Sequence, residues 1–363
     1  MPNMFDYLSW RGDLPFSAVP VSGPDALIFS TLAYLQFDGV VPFGAVGAVP
    51  LAQAALQLSR QENPPLRSSK DLQLLLAAAE TPRFREVRLC FYREELLEEE
   101  QTQFAALVFL LPGGSAFLAF RGTDDTLVGW KEDFNMSFRT TVPAQHKAAR
   151  YAGEFASCFA GPLYLGGHSK GGNLAVFAAT QSADYQNRIQ AVYNLDGPGF
   201  HPQLLQAQGY LSIVPKVRTY IPQSSIIGNL LEHEEPHTVI QSSQVGVLQH
   251  EPHSWEILGG DFLPAQTQGA DARFVDRAVR RYLAQTTAEQ REKFVDTVYE
   301  LLSAGNAQRL GQLLHPKQLS GLLRSLNADE ATRALLAAEL ERILQAARDA
   351  KSELPAAEET DAL

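Results

Sequence analysis

The sequence predicts an α/β protein: a mostly parallel sheet with helices on both faces, followed by a C-terminal helical appendage. Three observations carry this. Short apolar, β-rich runs alternate with helical patterns between residues 84 and 248. The stretch "YLGGHSKGGNLAVFAA" (164–179) passes from strand to helix through a bend of glycines. From about Thr286 the strand patterns stop and apolar residues recur at helical spacing.

The elements follow in order. In "GPDALIFSTLAYLQFDGVV", Asp25 is placed to cap a helix carrying Leu27, Ile28, Leu32 and Leu35. "FREVRLCFYREE" (84–95) and "FAALVFLLPGGSAFLAFRGT" (104–123) read as strands, the second broken into a hairpin at Pro112-Gly113-Gly114. A helix is expected over 144–160, a short buried strand over 162–167 and an Ala-rich helix over 171–182. Further strands are expected in "IQAVYNLDGPGF" (189–200), ending at Asp196, in 217–222 and in "HTVIQSSQVGVL" (237–248). Residues 1–285 are read as one domain, 286–350 as the helical appendage and 351–363 as an acidic flexible tail. Within the appendage Thr287 and Gln290 make a capping box. Phe294, Val295, Val298, Leu301 and Leu302 form one apolar stripe, and 310–326 and 331–350 continue as amphipathic helices.

Bulk properties narrow the function. A net charge of −11 argues against nucleic acid or an anionic membrane surface as partner. Cys90 and Cys158 are the only cysteines, too few for a disulfide framework or a metal site, which fits a reducing cytoplasm. No signal peptide and no run of about 18 apolar residues is seen. The expectation is a cytoplasmic protein with no membrane span, no metal and no cofactor.

Gly167-His168-Ser169-Lys170-Gly171 is a G-x-S-x-G. Alone it is a weak signal, but here a strand precedes it and a helix follows. That setting pushes a serine hydroxyl out above the sheet and sets it beside helix N–H groups that favour negative charge. A serine nucleophile needs a base, and the base an orienting acid. Asp196 ends the next strand, and no other Asp occurs from Gly197 to Gly260. Competing acids include Glu232, Glu234, Glu235 and Glu251. Asp196 read blandly is a turn-former before Gly-Pro. For the base, His250 follows the last expected strand and His253 is the reserve, among His201, His233, His237 and His315. "EHEEPH" (232–237) reads as a solvated polar loop rather than a metal site. Oxyanion donors are expected from the backbone of Lys170 and of Thr123, which follows Gly122 at a strand end.

These pieces resemble the class-three (fungal-type) lipases. The matching residues are Phe120-Arg121-Gly122-Thr123, Trp130-Lys131-Glu132-Asp133-Phe134, the pentapeptide around Ser169, and His250 followed by Trp255. A bacterial lipase-like group of unassigned function is more similar still, through "YLSWRGDLPF", "GHSKGGNLA", "DGPGF", "YIPQSSIIGNLL" and "QHEPHSW" over roughly residues 5–260. The resemblance implies an α/β-hydrolase fold with esterase-type chemistry on an acyl ester, either small-molecule or lipid. One departure stands out. Class-three lipases carry the acid after the strand that follows, where this chain reads Tyr220-Ile221-Pro222-Gln223-Ser224-Ser225. Asp196 is therefore assigned by position, as in pancreatic-type lipases. Two rival readings remain: an intracellular thioesterase or acyltransferase using the same triad, and a hydrolase fold kept as a non-catalytic scaffold. Residues 124–150, with Leu127, Val128, Trp130, Phe134, Met136 and Phe138, read equally as a lid or acyl-chain wall and as plain core.

Overall fold

The structure, a computed structural model, describes all residues except 45–46, 62–65, 125, 182, 304–329 and 353–363. The expected helix over 310–326, His315 and nearly all of the acidic tail fall outside the described residues. The chain forms two units. The first comprises Met1–Glu95, Phe104–Gly122 and Ala144–Gln268; the second Leu96–Gln103, Thr123–Pro143 and Gly269–Leu363.

An eight-stranded sheet organises the first unit, its strands lying in chain order: β1 (Val49–Pro50), β2 (Arg88–Leu97), β3 (Thr102–Leu110), β4 (Ala116–Phe120), β5 (Leu163–His168), β6 (Ile189–Leu195), β7 (Val217–Pro222) and β8 (His237–Ile240). From β4 onward every pairing is parallel. β3 and β4 are the antiparallel hairpin expected at Pro112-Gly113-Gly114, with Leu110 opposite Ala116. Side chains alternate across β4. Phe117 and Ala119 enter one core, while Ala116, Leu118 and Phe120 enter the other. Apolar residues on both sides of one strand leave no wet face, so the sheet must be covered twice.

Helices α1 (Met4–Arg11), α2 (Gly23–Leu32), α3 (Leu51–Ser59) and α4 (Ser69–Glu80) supply the first core, where Phe29 packs on Phe109 and Phe117 at 4.6 and 4.9 Å between ring centroids. Helices α6 (Pro143–Cys158) and α7 (Lys170–Thr180) supply the second, around Tyr151, Phe155 and Phe177. Helix α2 corrects one expectation. Its cap is Ser22; Asp25 sits three residues on and completes the capping box by accepting from the Ser22 N–H at 2.8 Å. Asp25 has a second task, a fully buried ion pair with Arg83 at 2.5 Å. Losing either partner would strand a buried charge, at a cost of about 3–5 kcal/mol.

The last strand is shorter than its apolar pattern predicts. β8 stops at Ile240, and residues Gly246–His250 form a 3₁₀ turn entered through Gly246 at φ 55°. The two serines and the glycine in "QSSQVG" break the alternation that a continuous strand needs. His250 therefore closes a short helical turn and does not follow a strand.

The second unit has α5 (Leu127–Asn135), α11 (Ala270–Gln285), α12 (Ala288–Ser303) and a last helix, Glu330–Ser352; the short helices α8 (Ala183–Gln186), α9 (Pro202–Leu205) and α10 (Gln208–Ile213) belong to the first. The capping box at Thr287 and Gln290 is formed at both of its bonds, 2.9 and 3.2 Å. Leu127, Trp130 and Phe134 of α5 share an apolar cavity of about 100 Å³ with Phe294, Val295 and Val298 of α12. Lys131 reaches Asp296 at 2.9 Å beside that cavity. No described helix is long and apolar enough to cross a membrane.

Candidate active site

β5 ends at His168, and Ser169 makes the turn into α7 with φ 58° and ψ −135°. A non-glycine residue rarely adopts this conformation, and it places the side chain away from both flanking elements. Neighbours hold it there. The Ser169 N–H donates to Leu195 O at 3.0 Å, and its carbonyl accepts from Gly172 N–H at 2.9 Å. The flanking glycines are required by approach: a Cβ on Gly171 would stand 2.1 Å from Phe120 O, and one on Gly167 would meet Gly171 at 2.2 Å. Lys170 occupies the first helical position, where N–H groups lack intrahelical acceptors.

Asp196 repeats this arrangement one strand over. It follows β6 at φ 56°, and its N–H donates to Tyr220 O at 2.9 Å. Its carboxylate is fully buried and accepts two hydrogen bonds, from the Gly228 N–H to Oδ1 at 3.1 Å and from His250 Nδ1 to Oδ2 at 2.6 Å. The segment after Asp196 is laced to the loop after β7: Gly199 N–H donates to Leu230 O, and Phe200 and Glu232 exchange backbone bonds. Asn173 of α7 donates to Pro198 O and Gly199 O at 3.1 and 2.9 Å, tying the serine's helix to the acid's loop. The loop after β7 thus brings a backbone amide to Asp196, with Ser225 accepting from the same Gly228 N–H.

His250 is held through its own main chain. His168 Nε2 lies 2.8 Å from His250 O, and the two rings lie 4.5 Å apart at a tilt of 36°. A carbonyl only accepts, so His168 donates from Nε2, and its Nδ1 accepts from Tyr34 OH at 3.1 Å. Burial, then the neighbouring charges of His250 and Arg67, press His168 well below the usual histidine range, so the ring stays neutral. The segment after His250 is pinned as well. Glu251 pairs with Arg67 at 2.7 Å, and His253 donates to Asp71 at 2.7 Å. Trp255 Nε1 donates to Gln249 O at 2.9 Å.

Of the five sequence-assigned residues, Asp196 and His250 are therefore brought together. Ser169 and Lys170 lie at the strand-to-helix bend one strand away. Thr123 falls in the second unit, where its hydroxyl donates to Asp133 at 2.7 Å. Gly122, in the first unit, approaches the serine: a Cβ added there would lie 3.0 Å from Ser169 Cβ. His253 is buried on a different acid. The polar "EHEEPH" segment is exposed at Glu232, Glu234, Pro236 and His237, as a solvated loop would be, but not at Glu235 or His233. Glu235 is fully buried and accepts from Thr219 and Tyr210 hydroxyls at 2.6 Å each, and His233 lies between Glu235 and Gly228. Burial alone would raise the Glu235 carboxyl; hydrogen bonds and charge from His233, with Thr219 and Tyr210, outweigh it and bring it down to about 2.

The mostly parallel sheet, its helices on both faces and the sharp bend at Ser169 are those of an α/β-hydrolase fold. Similar solved structures include the Rhizomucor miehei lipase propeptide complex, at 13% identity over 72% of this chain and 94% of that one, TM-score 0.39. Lipase II from Rhizopus niveus matches at 9% identity over 68% and 85%, TM-score 0.38, and a mutant of MDLA from Penicillium cyclopium at 13% over 67% and 84%, TM-score 0.38. No curated protein sequence matches the chain. The chain belongs to the Mbeg1-like family, whose sequence model matches residues 78–300.

Proposed function

We propose that this protein is a serine hydrolase of carboxylic esters, with Ser169 as nucleophile, His250 as base and Asp196 as the orienting acid. The observation that carries it is the 2.6 Å contact between the buried Asp196 carboxylate and His250 Nδ1, at the same sheet edge as a serine in a strained strand-to-helix turn. In this mechanism Asp196 fixes the tautomer that leaves His250 Nε2 as the proton acceptor. Ser169 attacks the ester carbonyl, its proton passes to His250, and the alcohol leaves with that proton. Water then releases the acyl group by the same steps in reverse roles. The Lys170 N–H stabilises the oxyanion. The substrate class is an acyl ester; a thioester fits the same chemistry.

A fluorophosphonate probe tests the reading. It is expected to label Ser169 in the native protein and not after heat unfolding. Ser169→Ala is expected to abolish hydrolysis of short p-nitrophenyl esters without loss of fold. Wild-type turnover in that variant would place the nucleophile elsewhere, and absence of native labelling would favour a non-catalytic scaffold.

A further inference from the structure

The only described hydrogen bond to Asp196 Oδ1 comes from the Gly228 N–H, so the carboxylate's aim depends on where that peptide sits. Something must hold the peptide, because it lies in a single 3₁₀ turn, Ile227–Asn229, inside a long connection. Its N–H is shared between Asp196 and Ser225 Oγ, each at 3.1 Å. Its carbonyl faces His233 Nε2 at 2.9 Å. The other nitrogen of that ring, Nδ1, faces Glu235 Oε1 at 3.1 Å. A backbone carbonyl and a carboxylate are both acceptors, so each ring nitrogen faces a group to which it can only donate. Glu235 in turn is fastened by Thr219 on β7 and Tyr210 on α10. The chain turns back to bring His233 beneath Gly228 through Leu231, at φ 62°. A continuous line of contacts thus runs from the sheet through Glu235, His233 and Gly228 to Asp196 and His250. Glu232 and Glu234 flank the ring in sequence, and His237 nearby is pressed below its ordinary value by burial and by His233.

We propose that His233 is a positioning residue: its doubly donating ring clamps the Gly228 peptide and so aims the Asp196 carboxylate at His250. This rests on the hydrolase reading above and assigns a task to a segment that neither composition nor spacing connects to catalysis. The two ring nitrogens can be tested separately. His233→Gln keeps a donor near the Nε2 position, toward Gly228; His233→Asn keeps one near Nδ1, toward Glu235. In the full chain, His233→Asn is expected to lower kcat about tenfold to a hundredfold with KM unchanged, and His233→Gln to recover most of that loss. Equal kcat in the two variants, or a better Asn than Gln, overturns the proposal. A second readout does not need activity. The His250 Nδ1 proton, identified by its loss in Asp196→Asn, is expected to give a downfield NMR resonance that Gln at 233 keeps and Asn broadens or shifts. An unmoved resonance in both variants overturns the proposal even if no ester is hydrolysed, whereas a moved resonance without any Ser169-dependent turnover overturns only the hydrolase reading. Should neither variant fold, ¹⁵N NMR of the wild-type ring decides: a hydrogen-bonded proton is expected on each nitrogen, and an Nε2 with no proton toward the Gly228 carbonyl overturns the clamp.

Discussion

The acid and the base of the proposed triad are held in opposite ways. Asp196 is completely buried, and both carboxylate oxygens have a donor. His250 leaves 29% of its side chain exposed and is fixed mainly through its carbonyl and the residues that follow it. The turn leading into it is open and apolar, with Val245, Val247 and Leu248 exposed by 75, 62 and 58%. The contrast follows from the tasks. An orienting acid works best immobile and dry, where its charge is strongest. A base that must meet an incoming substrate needs a wet face, so the protein locks its main chain and leaves the ring tip accessible.

The sharpest way to break this comparison is at the acid. Asp196→Asn is expected to lower kcat by roughly four orders of magnitude, through the wrong imidazole tautomer and an unstabilised imidazolium, while the fold survives. Steady-state ester hydrolysis beside a thermal melt checks it. Near wild-type kcat would show that the 2.6 Å contact orients nothing used in the reaction.

The two sides also differ in how they respond to pH. Glu235, behind the acid, falls from an ordinary 4.5 to about 2 on folding. A depressed carboxylate stabilises above its unfolded value, so this contribution is complete above about pH 4.5 and is lost as pH falls toward 2. The shift corresponds to roughly 3 kcal/mol, and Glu235→Gln is expected to flatten that limb of a denaturation-against-pH curve. On the base side, His168 is held neutral. The unfolded chain takes up its proton near pH 6.5 and the folded one does not, so stability falls as pH drops from 7 toward 5. His168→Gln is expected to reduce that earlier slope and leave the later one alone; chemical denaturation at stepped pH separates the two.

The smallest effect is expected at the open turn. Serine in place of Val245 or Val247 should change stability by no more than about 0.5 kcal/mol, since neither side chain is packed. A Tm drop of many degrees would show the turn to be part of the base's support.

Much of this is written locally in the chain, and what is not local is not legible. The strand-to-helix passage at Ser169 and the hairpin at Pro112 follow from neighbouring residues, as does the capping box at Thr287. Asp25 was harder, since a carboxylate near a helix start serves as cap or as third residue, and only Ser22 decides between them. The part played by His168 is invisible because its two partners, Tyr34 and His250, lie 134 and 82 residues away. Within the largely exposed "EHEEPH", His233 and Glu235 read as solvent-loving like their neighbours, because their pairing with each other and with Thr219 on β7 is not encoded in composition. The place of the proposed acid, at the end of β6 and not in the loop after β7, is half legible. The missing carboxylate at Ser224-Ser225 is plain in the sequence, whereas the amide of Gly228 that serves Asp196 appears only in three dimensions.

The clasp that follows His250 has a consequence for synthesis. Its partners, Arg67 and Asp71, precede Glu251 and His253 by 184 and 182 residues. At about 5–20 residues per second, the ribosome makes the early pair wait on the order of ten to forty seconds for the late one. In the later part of that interval the Ser169 turn has been made, but His250, the proposed base, has not. In the proposed mechanism a nascent chain therefore holds its serine without the base that would activate it until His250 and the clasp after it have been made.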